Sequence, residues 1–119
     1  MDFQVLPAKN KDIAVVTGSF CINTVDDALE LIANVSHQTG CDGLIVEQHC
    51  LNPDFFDLKT GFAGEILQKF TTYNMRMGIV GDFSAITGKS LNDFIYESNK
   101  NRKIVFADTV EKAVAILSV

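Results

Sequence analysis

The sequence is poor in three residue types that mark special classes of protein. It has no tryptophan, two prolines and three cysteines among 119 residues. Pro7 and Pro53 lie beside turn-like residues, and no low-complexity linker divides the chain. Cys21, Cys41 and Cys50 are odd in number and lack the Cys-x-x-Cys spacing of structural zinc sites. This pattern predicts reduced thiols in a cytoplasmic protein rather than a disulfide framework.

Positive charge is also scarce. Ten lysines and arginines stand against fifteen aspartates and glutamates, which gives a formal net charge of -5. Binding to nucleic acid relies on clustered positive charge that displaces counterions, so this balance argues against a nucleic-acid partner. The one basic cluster, formed by Lys100, Arg102 and Lys103, is short and lies between two predicted elements. We interpret it as a solvated loop rather than a phosphate contact.

Long apolar runs are missing as well. No segment approaches the roughly 18 to 20 apolar residues that a membrane-spanning helix needs. The start of the chain has no basic segment followed by an apolar one, so we predict neither a secretory signal nor a membrane partner. A hydrophobic content of 47% still supports a packed core, and the length favours a single domain over residues 1–119.

Hydrophobic periodicity predicts strands that alternate with helices. Short apolar runs bounded by turn residues are typical of strands, whereas apolar residues three and four positions apart indicate helices. The first two predicted strands are close enough in sequence to form a hairpin. The predicted strands cover residues 2–6, 12–17, 43–47, 75–81 and 103–107, and the predicted helices start at Thr24, Thr60, Ser90 and Asp108.

The element order β-β-α-β-α-β-α-β-α defines the predicted fold class. Strands joined through helices favour a largely parallel sheet with right-handed crossovers. We therefore predict an α/β fold with a largely parallel sheet, an N-terminal hairpin and about four flanking helices. The first helix has the clearest ends, because Thr24 and Asp27 form a capping-box pattern and Gly40 can close it. The side of the second helix predicted to face the core carries Ala63, Ile66, Leu67, Phe70 and Tyr73.

The stretch FFDLKTGFAGEILQKF holds the most unusual polar pattern. Asp57 and Thr60 can each accept from free amides at a helix start, where the dipole favours negative charge. Gly61 and Gly64 would leave that backbone uncovered for a phosphate or carboxylate, and Lys59 could add a counter-charge. The structural alternative gives Asp57 or Thr60 a capping role and leaves Lys59 solvated. Gly64 would then serve close packing of the helix.

A second polar loop follows the fourth predicted strand. Ligands of open α/β sheets bind beyond the carboxyl ends of strands, so Asp82 and Ser84 are expected near the first loop. The stretch GDFSAITGKS resembles a P-loop, but six residues separate Gly81 from Gly88, more than the four that a P-loop has. We predict a polar loop that ends in a Ser90 cap rather than a nucleotide site.

The run VEQHC is the one local cluster of ligand-type side chains. In an extended strand Glu47 and His49 would face one way and Cys50 the other, which is too few ligands for a metal site. Adjacent strand residues point apart, so we do not expect His49 to activate Cys50 as a nucleophile. The carboxylates are too scattered to nominate an acid–base pair. No catalytic residue, metal site or cofactor is predicted.

Four blocks of the sequence closely resemble a known family. They are TGCDGLIVEQ, FFDLKTGFAGEILQKF, IVGDFS and KSLNDFIYESN. Together they resemble a bacterial domain of unknown function, the one numbered four-one-eight-zero. The likeness covers almost the whole chain, and it implies very little about activity.

The element order is also similar to that of the STAS domain of anti-sigma-factor antagonists. In that family a Phe-x-Asp-Ser-Ser-Gly loop at a helix start carries a serine that a partner kinase phosphorylates. Phe55 and Asp57 match that loop. With one inserted residue, Thr60 and Gly61 fall on its Ser-Gly. Lys59 intrudes and the serine pair is missing, so threonine would have to serve as the acceptor.

These resemblances imply a non-catalytic cytoplasmic regulatory module that binds another protein, not yet identified. Its switch or ligand loop would consist of Asp57, Lys59, Thr60, Gly61, Asp82 and Ser84. The alternative is a small enzyme or binding protein for a phosphorylated ligand, built on the loops 57–61 and 82–89. Its binding set would be Lys59, Thr60, Asp82 and Lys89. An edge strand in the N-terminal hairpin would also allow pairing in a homodimer.

Overall fold

Strands and helices alternate along the chain in the predicted order. The computed structural model describes residues 2–8, 12–84, 88–101 and 104–117. None of the helices in these ranges is both long and apolar enough to cross a membrane. The strands are β1 (Asp2–Leu6), β2 (Ile13–Thr17), β3 (Gly43–Glu47), β4 (Arg76–Val80) and β5 (Ile104–Ala107), and the helices are α1 (Val25–Thr39), α2 (Phe62–Thr72), α3 (Lys89–Asn101) and α4 (Val110–Leu117).

The five strands lie in one sheet in the same order as in the chain, β1-β2-β3-β4-β5. β1 pairs antiparallel with β2, and each later pair is parallel. The predicted α/β class, with a largely parallel sheet and an N-terminal antiparallel pair, is confirmed. Three crossovers step to the next strand in the same direction, and such connections are right-handed, so α1, α2 and α3 share one face. α4 packs on the other face, against β4 and β5.

The face under α1, α2 and α3 carries the larger hydrophobic core. Phe55, Phe70 and Leu31 are among its most fully buried large side chains. The inward side of α2 is as predicted except at Tyr73, which is 59% exposed. The prediction for Tyr73 is wrong because α2 ends at Thr72, and Tyr73 caps the helix with non-helical backbone angles.

On the opposite face, small residues let α4 approach the sheet closely. A Cβ added at Gly78 of β4 would lie 3.1 Å from Ile45 Cγ1 and 3.2 Å from Leu117 Cδ1. The Cβ of Ala113 in α4 would lie 3.4 Å away. Ala113 and Leu117 are fully buried, so the hydrogen side chain of Gly78 sets the distance between helix and strand.

α3 begins earlier than predicted. The helix starts at Lys89, and the amide of Asn92 donates to the Gly88 carbonyl. Ser90 therefore lies in the first turn, and its predicted role as the cap is wrong. Residues 85–87 of the P-loop-like stretch lie outside the described ranges, as do Arg102 and Lys103 of the basic cluster.

The outer edge of β5 is covered by a side chain of α3. The Phe106 amide donates to Asn99 Oδ1 at 2.6 Å, and Asn99 Nδ2 donates to the Phe106 carbonyl at 3.3 Å. A side-chain amide thus replaces the neighbouring strand that this edge lacks. At the other edge of the described sheet, β1 pairs with β2 alone.

Candidate functional site

The connection from β3 to α2 consists of three short 3₁₀ turns. They are Gln48–Cys50, Pro53–Phe56 and Leu58–Thr60. Side chains fix the second and third turns, since Asn52 Oδ1 accepts from the Asp54 amide at 2.9 Å and Asp57 Oδ1 accepts from the Lys59 amide at 3.2 Å. Asparagine and aspartate favour such turns because their short side chains reach the backbone two residues on.

Thr60 connects the last of these turns to α2. Its hydroxyl oxygen lies 2.9 Å from the carbonyl oxygens of both Asp54 and Asp57. The same oxygen accepts from the Phe62 amide at 3.2 Å. The hydroxyl carries a single proton, so the two carbonyls share one donor. Gly61 follows with a φ of 75°, a left-handed conformation that favours glycine.

These contacts correct the predicted start of the second helix. α2 begins at Phe62 rather than at Thr60, because residues 58–60 form a turn of their own. Thr60 accepts from the first amide of the helix, whereas Asp57 accepts from an amide of the turn before it. Both side chains therefore order the loop, and the helix itself begins from Gly61, which offers no side-chain cap.

The polar side chains of this loop face solvent while one aromatic ring fixes the loop to the core. Asp57, Lys59 and Thr60 are exposed, and Leu58 between them is 36% exposed. Phe55 has no exposed surface. The loop is therefore anchored from below and presents its polar residues outward.

A cluster of phenylalanine rings joins this loop to the turn after β4. The ring of Phe83 lies 6.1 Å from that of Phe56 and 5.3 Å from that of Phe106, measured between centroids. Phe55 contacts Phe106 as well, at 6.4 Å. These contacts hold Asp82, Phe83 and Ser84 beside the β3–α2 loop. This cluster was not predicted from the sequence, although both loops contain phenylalanines.

Asp82 and Ser84 form a local turn of their own. Asp82 Oδ1 accepts from the Ser84 hydroxyl at 2.6 Å and from the Ser84 amide at 3.0 Å. These hydrogen bonds lower the pKa of Asp82 below its ordinary value. The pKa of Asp108 is also lowered, chiefly by a hydrogen bond from Lys112, and the charge of Asp82 opposes that shift. Both carboxyl groups follow neighbouring strands, β4 and β5, at the carboxyl end of the sheet.

Gly64, in the first turn of α2, has no packing role in the described part of the chain. A Cβ added there would meet no heavy atom of a neighbouring element within 4 Å. The structural alternative for Gly64, close helix packing, is therefore wrong. The backbone of the first turn of α2 lies open at this position.

Two surface grooves flank Phe56. One, of about 710 Å³, lies between the Leu58–Thr60 turn and the first turn of α3, and both Lys59 and Lys89 line it. The other, of about 590 Å³, lies between the Gln48–Cys50 turn and the end of β4. Of the four residues of the predicted ligand set, Lys59 and Lys89 share a groove, and Thr60 and Asp82 line neither of the two grooves.

The VEQHC run is not extended throughout. β3 ends at Glu47, and the next three residues form a 3₁₀ turn. The predicted strand geometry of His49 and Cys50 is therefore wrong, although His49 Nδ1 lies 3.1 Å from Glu47 Oε2. Within the described ranges, His, Cys, Asp and Glu side chains form no group of three or more that could hold a metal ion.

The fold and the two loops together describe one class of protein. It is an α/β protein with a sequential, largely parallel sheet and two polar loops joined by aromatic rings at the carboxyl ends of the strands. The chain belongs to the family described as Domain of unknown function (DUF4180), which matches residues 8–117. The resemblance seen in four sequence blocks is thus confirmed.

Comparisons with curated proteins and with solved structures gave no match. The likeness to the STAS domain is therefore not confirmed, and family membership carries no activity with it. The residues that remain to indicate a function are those of the two polar loops.

Proposed function

We propose that this protein is a cytoplasmic, non-catalytic interaction module, a single STAS-like domain that binds another protein through the β3–α2 loop. The contact surface consists of residues 54–64 together with Asp82 and Ser84. One observation supports this above the others: the loop backbone is held by internal hydrogen bonds while its polar side chains are exposed to solvent. An ordered loop loses little conformational entropy on binding, so it suits a recognition surface.

The chemistry of the exposed loop suits a small protein contact. Leu58 supplies partly exposed apolar surface between the charged side chains of Asp57 and Lys59. An apolar centre with a polar rim is the usual composition of interfaces between proteins that also exist alone. The open backbone at Gly64 adds a position where a partner can approach α2 closely.

Thr60 is the proposed control point of this surface. Phosphorylation would replace the hydroxyl proton that the Asp54 and Asp57 carbonyls share, and it would bring phosphate oxygens near those carbonyls. The Leu58–Thr60 turn would then open, and the phosphate would be favoured beside the amides that begin α2. The group adds about 1.5 to 2 negative charges to a chain that already carries -5. The partner would thus meet a changed shape and a changed charge.

The test is capture of partners from the native cell with a matched pair of surface variants. Leu58→Asp should lose the partner, whereas Tyr73→Asp should keep it, because Tyr73 is an exposed apolar side chain on the end of α2. Circular dichroism and Tm must show that both variants stay folded. A partner set that is unchanged by Leu58→Asp would contradict the proposed surface.

The switch is tested separately from the surface. Thr60→Ser keeps a hydroxyl and should keep both the partner and its regulation, while Thr60→Ala should lose the regulation. Mass spectrometry of residue 60 in captured protein should find phosphate on the wild type. A Thr60→Ala variant that retains its partner and its regulation would rule out the switch while leaving the surface proposal standing.

A second function is favoured by one specific observation, the shared groove of Lys59 and Lys89. Two ammonium groups beside the start of α3 would attract a phosphorylated metabolite. Calorimetry against sugar phosphates and nucleotides decides between the two functions. Heat at micromolar ligand that disappears in the Lys59→Gln, Lys89→Gln double variant would establish the ligand-binding alternative, and the interaction module predicts no such heat.

A further inference from the structure

Two cysteines that are far apart in sequence are brought side by side by a short bridge between loops. The Ile22 amide donates to the Cys50 carbonyl at 2.7 Å, and the Asn52 amide donates to the Ile22 carbonyl at 2.9 Å. These bonds pair Ile22 with Leu51 in parallel. Residues at equal offsets from a parallel bridge lie beside each other and point to the same side. Cys21 and Cys50 each precede a bridged residue by one position, so their backbones lie beside each other at the bridge, although Cys50 is the last residue of the Gln48–Cys50 turn.

The surroundings of the two thiols agree with this register. Ile22 and Leu51 point into the core, where they are 1% and 4% exposed, and Cys50 next to Leu51 is buried as well. The pKa of Cys50 is raised, first by burial and next by the neighbouring Cys21 thiol. Adjacent strands are about 4.8 Å apart, which falls within the Cα separation of roughly 4.4 to 6.8 Å that disulfides span.

The two thiols differ in access. Cys21 is half-buried and lines an open groove of about 670 Å³ at the end of β2. Cys50 is 9% exposed. A small reagent can therefore reach Cys21 from solvent, and Cys50 is placed to react with Cys21 rather than with the reagent.

We propose that Cys21 and Cys50 form a reversible disulfide and are a redox modification site of this protein. The oxidant is a low-molecular-weight disulfide. The Cys21 thiolate attacks one of its sulfurs, forms a mixed disulfide and expels one small thiolate. The Cys50 thiolate then attacks the Cys21 sulfur and expels the second. The two protons of the protein thiols end on the two released thiols, so the protein loses two electrons and the small disulfide gains them.

The bond would fix the base of the β3–α2 loop. Cys50 immediately precedes the Leu51–Asn52 segment, and Asn52 Nδ2 already donates to the Asn23 carbonyl at 3.3 Å. Oxidation would add a covalent link to these non-covalent contacts between the two segments. The inference does not depend on the proposed partner binding, since it rests on the bridge and the two thiols alone. Disulfides of reducing compartments are typically transient sensors, and a pair with one thiol at an open surface groove fits that use.

The test uses the purified full chain in glutathione redox buffers, followed by acid quenching, alkylation and peptide mapping by mass spectrometry. We expect one intramolecular link between the peptides of Cys21 and Cys50, with the loss of two hydrogens and full reversal by dithiothreitol. Cys41→Ser is the matched control and should form the same link, because Cys41 lies at the opposite end of β3. Cys21→Ser should abolish the link and leave Cys50 free for alkylation.

Three results would overturn the proposal. They are a glutathione adduct that persists on Cys21 with Cys50 still free, a disulfide between two chains through Cys21, and oxidation of the two thiols at independent potentials. Mapping of the wild type and of Cys41→Ser decides the matter even if substitution of Cys50 unfolds the protein.

Discussion

The two faces of the sheet are packed by opposite means. Under α1, α2 and α3 the space is filled by large side chains such as Phe55 and Phe70, which are brought in by a loop and a helix. On the α4 face the helix lies against Gly78, and Ala113 and Leu117 fill the contact. The difference predicts that the first face is sensitive to removal of atoms and the second to addition of atoms.

The candidate site lies mainly on the first face of the sheet. The loop from β3 to α2 carries its own core residue, Phe55, so its position is part of the packing of the first face. On the α4 side, Asp108 and Lys112 form an exposed ion pair near the site, with 3.0 Å between Nζ and Oδ1. On the first face, a substitution in the core is therefore expected to disturb the site as well. On the α4 face, a substitution in the core is expected to change stability without moving the site.

The largest effect is expected from Phe55→Ala. Deletion of a fully buried ring should cost about 3 to 5 kcal/mol of unfolding free energy, because a cavity remains where the ring was. Urea denaturation measures this loss. Tyr73→Ala is the control, since that ring is exposed and its removal should change stability by less than about 0.5 kcal/mol. Equal losses in the two variants would contradict the assignment of Phe55 as the anchor.

The next effect tests the other face. Gly78→Val should cost about 1 to 3 kcal/mol, because the added methyl groups would push against Ile45 and Leu117 and force α4 outward. Gly64→Ala is its counterpart in open space, and it should stabilise the helix by about 0.5 to 1 kcal/mol. Chemical denaturation should show a lower free energy of unfolding for Gly78→Val and a higher one for Gly64→Ala. A change of the same sign in both variants would contradict the description of Gly78 as closely packed and Gly64 as open.

A smaller effect is expected at the loop that the first face supports. Thr60→Val keeps the shape of the side chain but removes the hydroxyl, so it should cost about 1 kcal/mol through the lost hydrogen bonds. Thr60→Ser restores the donor and should recover most of that stability. Hydrogen exchange of the Phe62 amide should quicken in the valine variant alone. Unchanged exchange would show that the hydroxyl does not hold the turn.

The smallest effect concerns charge at the neighbouring turn. Ser84→Ala removes the hydroxyl that is the main cause of the lowered pKa of Asp82, so that pKa should rise toward its ordinary value. Carboxyl chemical shifts followed by NMR across acid pH measure the change. A lowered folded pKa stabilises the protein above the unfolded pKa, and this contribution fades as pH falls through the folded value. The wild type should therefore keep the Asp82–Ser84 turn to lower pH than the variant.

Much of the fold could be predicted because its signals are local. The capping box of Thr24 and Asp27 is present, and Gly40 closes α1 with a φ of 71°. Both features depend on residues within a few positions of each other. The predicted start of α2 at Thr60 is wrong because two local hydrogen-bonding patterns are possible there. Residues 58–60 form a 3₁₀ turn instead of the first turn of α2.

The sequence by itself determined the order of strands and helices and the residues that end α1, because backbone hydrogen bonds and apolar periodicity act over one or two turns of chain. Tertiary structure alone decided that Phe83 lies against Phe56, that Cys21 lies beside Cys50 and that α4 packs over Gly78. Each of these contacts joins segments that many residues separate. Their positions depend on how the helices and loops pack against the sheet, which no short stretch of sequence encodes.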